Sequence, residues 1–132
     1  APALIDVLNR IRGPFNLNNG AQAVATVAVG DQDFVIRSRE HNRIGRERFV
    51  ATIEALGNHG LRALPSEANF VLVLFEGELT AKAAHDALMA RGYATRWLPG
   101  QDLAQGLRIT IGTHEQMAEV SAILRELAES TR

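Results

Sequence analysis

Two arginines stand inside segments that read as strands. In GLRITIGT, Gly106 to Thr113, alternation puts Leu107, Ile109 and Ile111 on one face and Arg108 and Thr110 on the other. In YATRWL, Tyr93 to Leu98, Arg96 occupies a second short strand, and PGQDLAQ joins the two with hairpin length. If these strands pair antiparallel, both guanidinium groups converge on one spot. Like charges so placed repel unless an anion lies between them, and the planar guanidinium fork suits a carboxylate or a phosphate. An arginine on a strand is more often simply solvent-facing. The residue types alone therefore reach only a candidate anion site at Arg96 and Arg108.

Other chemistries find less support. His41, His59, His85 and His114 are far apart and form no ligand pair of the HExxH kind, which leaves them as surface histidines and gives no metal site. No Gly-x-Ser-x-Gly elbow presents a nucleophile, and neither GxGxxG nor GxxxxGK[ST] occurs. RSREHNRIGRER carries Arg37, Arg39, Arg43, Arg46 and Arg48, but Glu40 and Glu47 interleave and from Arg37 onward no Phe, Tyr or Trp occurs until Phe49. That pattern reads as a solvated helix face rather than a nucleic-acid surface. Glu67 reads as an exposed turn residue, and the carboxylates show no spacing suited to acid–base work.

The elements that must position the two arginines follow from periodicity. Ala3 to Arg12 has helical spacing and stops at Gly13-Pro14; Ala21 to Val29 is an alanine-rich helix closed by Gly30. Being apolar almost all round, the second helix is expected to lie against something large. A long polar helix runs from about Asp31 to Leu56, with Phe34 and Val35 at its start and Phe49, Val50, Ile53 and Leu56 as its apolar stripe. GLRALP and Asn69 to Phe75 read as strands, the second apolar on both sides as in a central strand. Thr80 caps a helix to Arg91 with Gly92 beyond it, and Thr113 to Gln116 form a capping box before a helix whose core face is Met117, Val120, Leu124 and Leu127. The expected fold is an α/β, or α+β, sandwich: a small mixed or antiparallel sheet covered by helices.

At 132 residues the chain is of single-domain size, with 46% apolar and 22% charged residues. A formal charge of −1 argues against bulk attraction to nucleic acid or an anionic membrane. No cysteine is present, which removes disulfide and thiolate chemistry. No apolar run reaches the ~18 residues of a membrane span, and APALIDVLNRIRG lacks the pattern of a signal peptide. The start falls in mid-pattern, as expected of a piece of something longer.

GPFNLNNGAQAVA, LPSEANFVLV, RWLPGQ and LRITIGTHEQ occur in this order along the chain. Together they make the whole sequence resemble the C-terminal part of the histidinol-phosphate aminotransferases, a branch of the fold-type I, class I/II enzymes dependent on pyridoxal phosphate. The LRITIGT motif is shared by class I/II aminotransferases generally, whereas PFNLN with RWLPGQ points to this branch. The resemblance implies that Arg108 and Arg96 bind the substrate phosphate and also accept the carboxylate of glutamate or 2-oxoglutarate.

The Schiff-base lysine is expected upstream. The sole lysine, Lys82, lacks the family context, and Asp31, Asp33, Asp86 and Asp102 match no cofactor-binding aspartate. The resemblance thus implies residues 1–30 as connecting helices packed on an absent large domain and residues 31–132 as the small C-terminal domain. Alone, such a piece is expected to be inactive and to expose apolar surface around Val24, Val27 and Val29, or to hide it by self-association. The longer enzyme would be a cytoplasmic homodimer of histidine biosynthesis with small-molecule substrates. The alternatives are another class I/II aminotransferase, a cobalamin-pathway pyridoxal-phosphate decarboxylase, or a stand-alone anion-binding module without catalysis.

Overall fold

Hydrophobic periodicity and capping place the elements close to where the sequence suggests. The structure, a computed structural model, describes residues 2–13 and 17–131. Pro14, Phe15 and Asn16, which make up most of the PFNLN motif and half of the Gly13-Pro14 breaker, lie outside the described residues. The chain divides into two compact units, Ala1–Arg37 and Ser38–Arg132.

The first unit holds helices α1, Pro2–Ile11, and α2, Asn19–Gly30, and the start of α3, Gln32–Ala55. The Asn18 side chain caps α2 by accepting from the Ala21 N–H at 2.8 Å. Neither α1 nor α2 has a buried residue, and Val24, Val27 and Val29 are 69%, 77% and 71% exposed. Phe34, expected to anchor the start of α3, is exposed as well.

The second unit takes α3 from Ser38 onward. Strand β1, Leu61–Ala63, precedes β2, Phe70–Phe75, then helix α4, Ala81–Ala90. Strands β3, Arg96–Leu98, and β4, Leu103–Thr110, follow, and helix α5, His114–Ser130, ends the unit. All pairings are antiparallel and the order is β1-β2-β4-β3, so the doubly apolar β2 is indeed central. Thr80 caps α4, and Gly92 (φ 86°) provides the left-handed turn that releases the chain toward β3. At α5 the Thr113 side chain accepts from the Gln116 N–H while the Gln116 side chain accepts from the Thr113 N–H.

The strand alternation sorts the two faces of the sheet. Val71, Val73, Phe75, Leu107 and Ile109 are buried on one face in a single core with Phe49 and Ile53 of α3, Leu88 of α4 and Leu124 of α5. The core face of α5 also takes Ile123 and Ala128, while Leu127 is only half-buried. Phe70, Leu72, Arg108, Thr110 and Arg96 alternate onto the opposite face.

PGQDLAQ is not wholly a loop. Pro99–Gln101 form one short helical turn, Asp102 takes a left-handed conformation (φ 53°), and β4 begins at Leu103. Trp97 Nε1 donates to the Ala104 carbonyl at 2.7 Å and Leu98 pairs with Leu103 across a bulge, so the hairpin closes earlier than the residue types suggest. The strand in YATRWL is correspondingly confined to Arg96–Leu98.

The alternation that aims Arg108 has a measurable counterpart. Ile109→Ala is expected to cost about 2–5 kcal/mol in urea unfolding, whereas Thr110→Ala on the exposed side should cost under about 1 kcal/mol. Similar losses at both positions would contradict the assignment of faces.

Candidate anion site

Backbone pairing sets the site before any side chain is considered. Arg108 lies opposite Leu72 of β2 on one side and opposite Arg96 of β3 on the other. Directly opposed residues share a sheet face, so Leu72, Arg108 and Arg96 form a row across three strands. Phe70, one pleat along β2, holds its ring 5.0 Å from the Arg108 guanidinium carbon. This cation–π contact and the neighbouring strands leave Arg108 half-buried, while Arg96, on the edge strand, is exposed.

The two arginines line a hollow of about 220 Å³ together with Phe70, Leu72, Leu98 and Gln101. No carboxylate lines it, and neither arginine has an ion-pair partner among the described residues. Arg108 Nε is buried without a hydrogen-bond acceptor. A buried donor without a partner is uncommon in a folded protein and costs on the order of 1–3 kcal/mol. An anion seated in the hollow would neutralise both cations and offer acceptors to both forks.

Several other arginines are matched. Arg43 bridges Glu40 and Glu47 at 2.6 Å each, and the Glu40 carboxyl is held below its ordinary value chiefly by the Arg43 hydrogen bond. Arg62 pairs with Glu76 and Arg91 with Glu126, each at 2.9 Å. Arg46 departs from the expected solvated face: its side chain is 12% exposed and donates to the Ala68 carbonyl at 2.7 Å. It pins the turn that leads into β2, and the Asn69 carbonyl there accepts from the Ile111 N–H at 2.9 Å beside the end of β4. The helix charge pattern concealed this role, because its acceptor lies beyond the next strand.

Lys82 is on the other side of the sheet. It pairs with Asp86 at 2.6 Å, is 57% exposed, and lies 5.7 Å from the ring of Trp97, whose side chain alternates away from that of Arg96. Among the described residues no cluster of histidine and carboxylate side chains could hold a metal ion. Two histidines that the sequence left as isolated surface residues, His41 and His114, share a second hollow between α3 and α5.

Repulsion across the β3–β4 pair predicts a trade. Arg96→Gln should raise stability by roughly 0.2–1 kcal/mol in low-salt denaturation, with the gain shrinking above ~0.5 M salt. A gain that ignores ionic strength would show that the two charges are not in conflict.

A family description for aminotransferases of class I and II matches residues 1–124. The histidinol-phosphate aminotransferase of Erythrobacter litoralis is 54% identical over 132 residues, covering 100% of this chain and 36% of that protein. The histidinol-phosphate aminotransferase of Zymomonas mobilis is 51% identical over 126 residues, covering 96% and 34%. The chain thus spans about a third of the length of the curated relatives it matches.

Among solved structures, histidinol-phosphate aminotransferase from Sinorhizobium meliloti in complex with pyridoxal-5'-phosphate superposes with a TM-score of 0.73 at 27% identity, covering 99% of this chain and 35% of that one. A decarboxylase from Sulfurospirillum multivorans shares the fold, with a TM-score of 0.67 at 21% identity over 97% of this chain and 37% of its own. Fold, strand motif and relatives agree: the chain belongs to the class I and II aminotransferases.

Proposed function

We propose that this chain supplies the substrate-anion clamp of a histidinol-phosphate aminotransferase, the enzyme that exchanges an amino group between histidinol phosphate and 2-oxoglutarate or glutamate in histidine biosynthesis. The observation that carries the reading is the opposed pair Arg96 and Arg108, lining one hollow without a carboxylate and leaving Arg108 Nε without an acceptor. Arg108 binds the anion from the middle of the sheet, where Phe70 and the neighbouring strands fix its direction. Arg96 closes on it from the edge. Both hold the phosphate of one substrate and the carboxylate of the other, because a fixed guanidinium fork grips either tetrahedral or planar oxyanions. Orientation by such a clamp is how a remote anion contributes to rate.

The amino-group chemistry itself would be supplied by pyridoxal phosphate, which the relative from Sinorhizobium meliloti holds. The residues described here do not fit that cofactor. The only lysine, Lys82, is exposed, paired with Asp86 and across the sheet from the arginine hollow. No catalytic and no cofactor-binding residue is therefore assigned to this chain.

Residues 1–30 act as connecting helices whose exposed valines pack on a larger cofactor-binding domain, and residues 31–132 act as the small domain of a cytoplasmic homodimer. The length of the relatives and the lack of any buried residue in α1 and α2 support this division. Among the described residues no helix is long and apolar enough to cross a membrane.

In the longer enzyme, Arg108→Gln and Arg96→Gln should each lower kcat/KM for histidinol phosphate roughly 10- to 100-fold, the worth of one charge-assisted contact. Histidinol lacking the phosphate should show little further loss. If only Arg108 matters and histidinol phosphate is not a substrate, the enzyme is instead a carboxylate-binding member of the class. Micromolar binding of phosphate by this chain alone would favour a stand-alone anion-binding module.

A further inference from the structure

The hollow between α3 and α5 measures about 360 Å³ and lies entirely within the second unit. Both walls follow one stripe of a helix. On α3 the stripe runs from His41 through Gly45 and Arg48 to Thr52; on α5 it runs from His114 through Ala118 and Ser121 to Arg125. Each stripe has spacing i, i+4, i+7, i+11, so each wall is straight and extends about 16 Å at ~1.5 Å per residue.

The floor between the walls is apolar, made by Ile44, Phe49 and Met117. The middle of the groove is lined by small residues, Gly45, Ala118 and Ser121, where another backbone can come close. Gly45 already sits so near β4's exit that a Cβ there would meet Ile111 Cγ2 at 2.5 Å.

Charge along the groove has one sign. No carboxylate lines it. Arg48 donates to His114 Nδ1 at 3.2 Å, and His41 Nε2 donates to the Gly112 carbonyl at 2.9 Å. Arg48 and Arg125 have no ion-pair partner among the described residues, in contrast to Arg43 on the same helix as Arg48 and Arg91 facing α5. A three-turn trough with an apolar floor, a small-residue midline and cationic edges matches helix-in-groove recognition of an acidic partner.

We infer that this groove seats an acidic amphipathic helix from the polypeptide that completes the longer enzyme. Its apolar stripe lies on Ile44, Phe49 and Met117, and its carboxylates meet Arg48 and Arg125. This rests on the reading of the chain as part of a longer aminotransferase, and the relatives leave about two thirds of their length to supply such a helix. The docked helix would also brace the Ile111-Gly112 turn, where β4 leaves the anion site.

The first test measures the fluorescence anisotropy of a capped peptide of about 15 residues, with leucines on one face and glutamates beside them, against the 132-residue chain. The glutamate peptide should bind about tenfold or more tightly than its lysine twin, and Arg48→Glu with Arg125→Glu should reverse that order. Both arginines are exposed, so the double variant should melt within a few degrees of the parent. Equal binding of the two peptides, or indifference to the double variant, overturns the inference. Benzoate filling the groove and displacing the peptide would assign it to a small anion and overturn it too.

The second test places a thiol at Ser121 in a chain with no cysteine of its own. Maleimide labelling of Ser121→Cys, mapped by mass spectrometry, should be at least about tenfold slower in the longer enzyme than in the 132-residue chain, and faster again with both arginines reversed. Equal rates in the two forms overturn the helix source. Arg108→Gln should weaken phosphate binding without touching either readout, so the two readings fail separately.

Discussion

The unfavourable opposition of Arg96 and Arg108 governs the site. Backbone hydrogen bonds between β3 and β4 hold the two cations across from each other, and the buried face of the sheet leaves neither strand free to slip. A slip of one residue would carry Leu107 and Ile109 out of the core and turn Arg108 into it. The hydrophobic core therefore enforces a local charge conflict that the hollow alone does not relieve. Stability of the sheet and readiness for an anion are two aspects of one register.

The remaining arginines sharpen this contrast. Arg43, Arg62 and Arg91 meet carboxylates on the surface, where screening makes each pair worth little. Arg46 is held by the turn before β2, through the Ala68 carbonyl and the exposed Glu67 carboxylate, and so helps to hold Phe70 in place beneath Arg108. The four arginines that line the two hollows, Arg48, Arg96, Arg108 and Arg125, have no ion-pair partner among the described residues.

Much of this was legible in the residues because local rules and packing agree. LRITIGT alternates with period two and β-branched side chains, so its faces could be told apart, and the convergence of Arg96 and Arg108 followed from a short connection. Thr80, Gly92 and the Thr113–Gln116 box marked helix ends through chemistry confined to one turn. What escaped depends on partners distant in sequence. Leu103 to Gln105 join the sheet because Trp97 reaches Ala104 and Asp102 accepts a left-handed turn, neither of which periodicity records. Arg46 looked solvated because its acceptor lies beyond β1, and the α3–α5 groove is invisible until His41 and His114 are brought together by the fold.

The sheet ends on its two shortest strands, β1 and β3, and each carries an arginine. Open strand borders invite another chain to extend the ladder, and a charged side chain on a brief border discourages it. Arg62 is tied to Glu76, whereas Arg96 has no ion-pair partner among the described residues. In the proposed function Arg96 reaches the ligand; at the same border it discourages neighbouring molecules from zipping onto the sheet, so one role constrains the other.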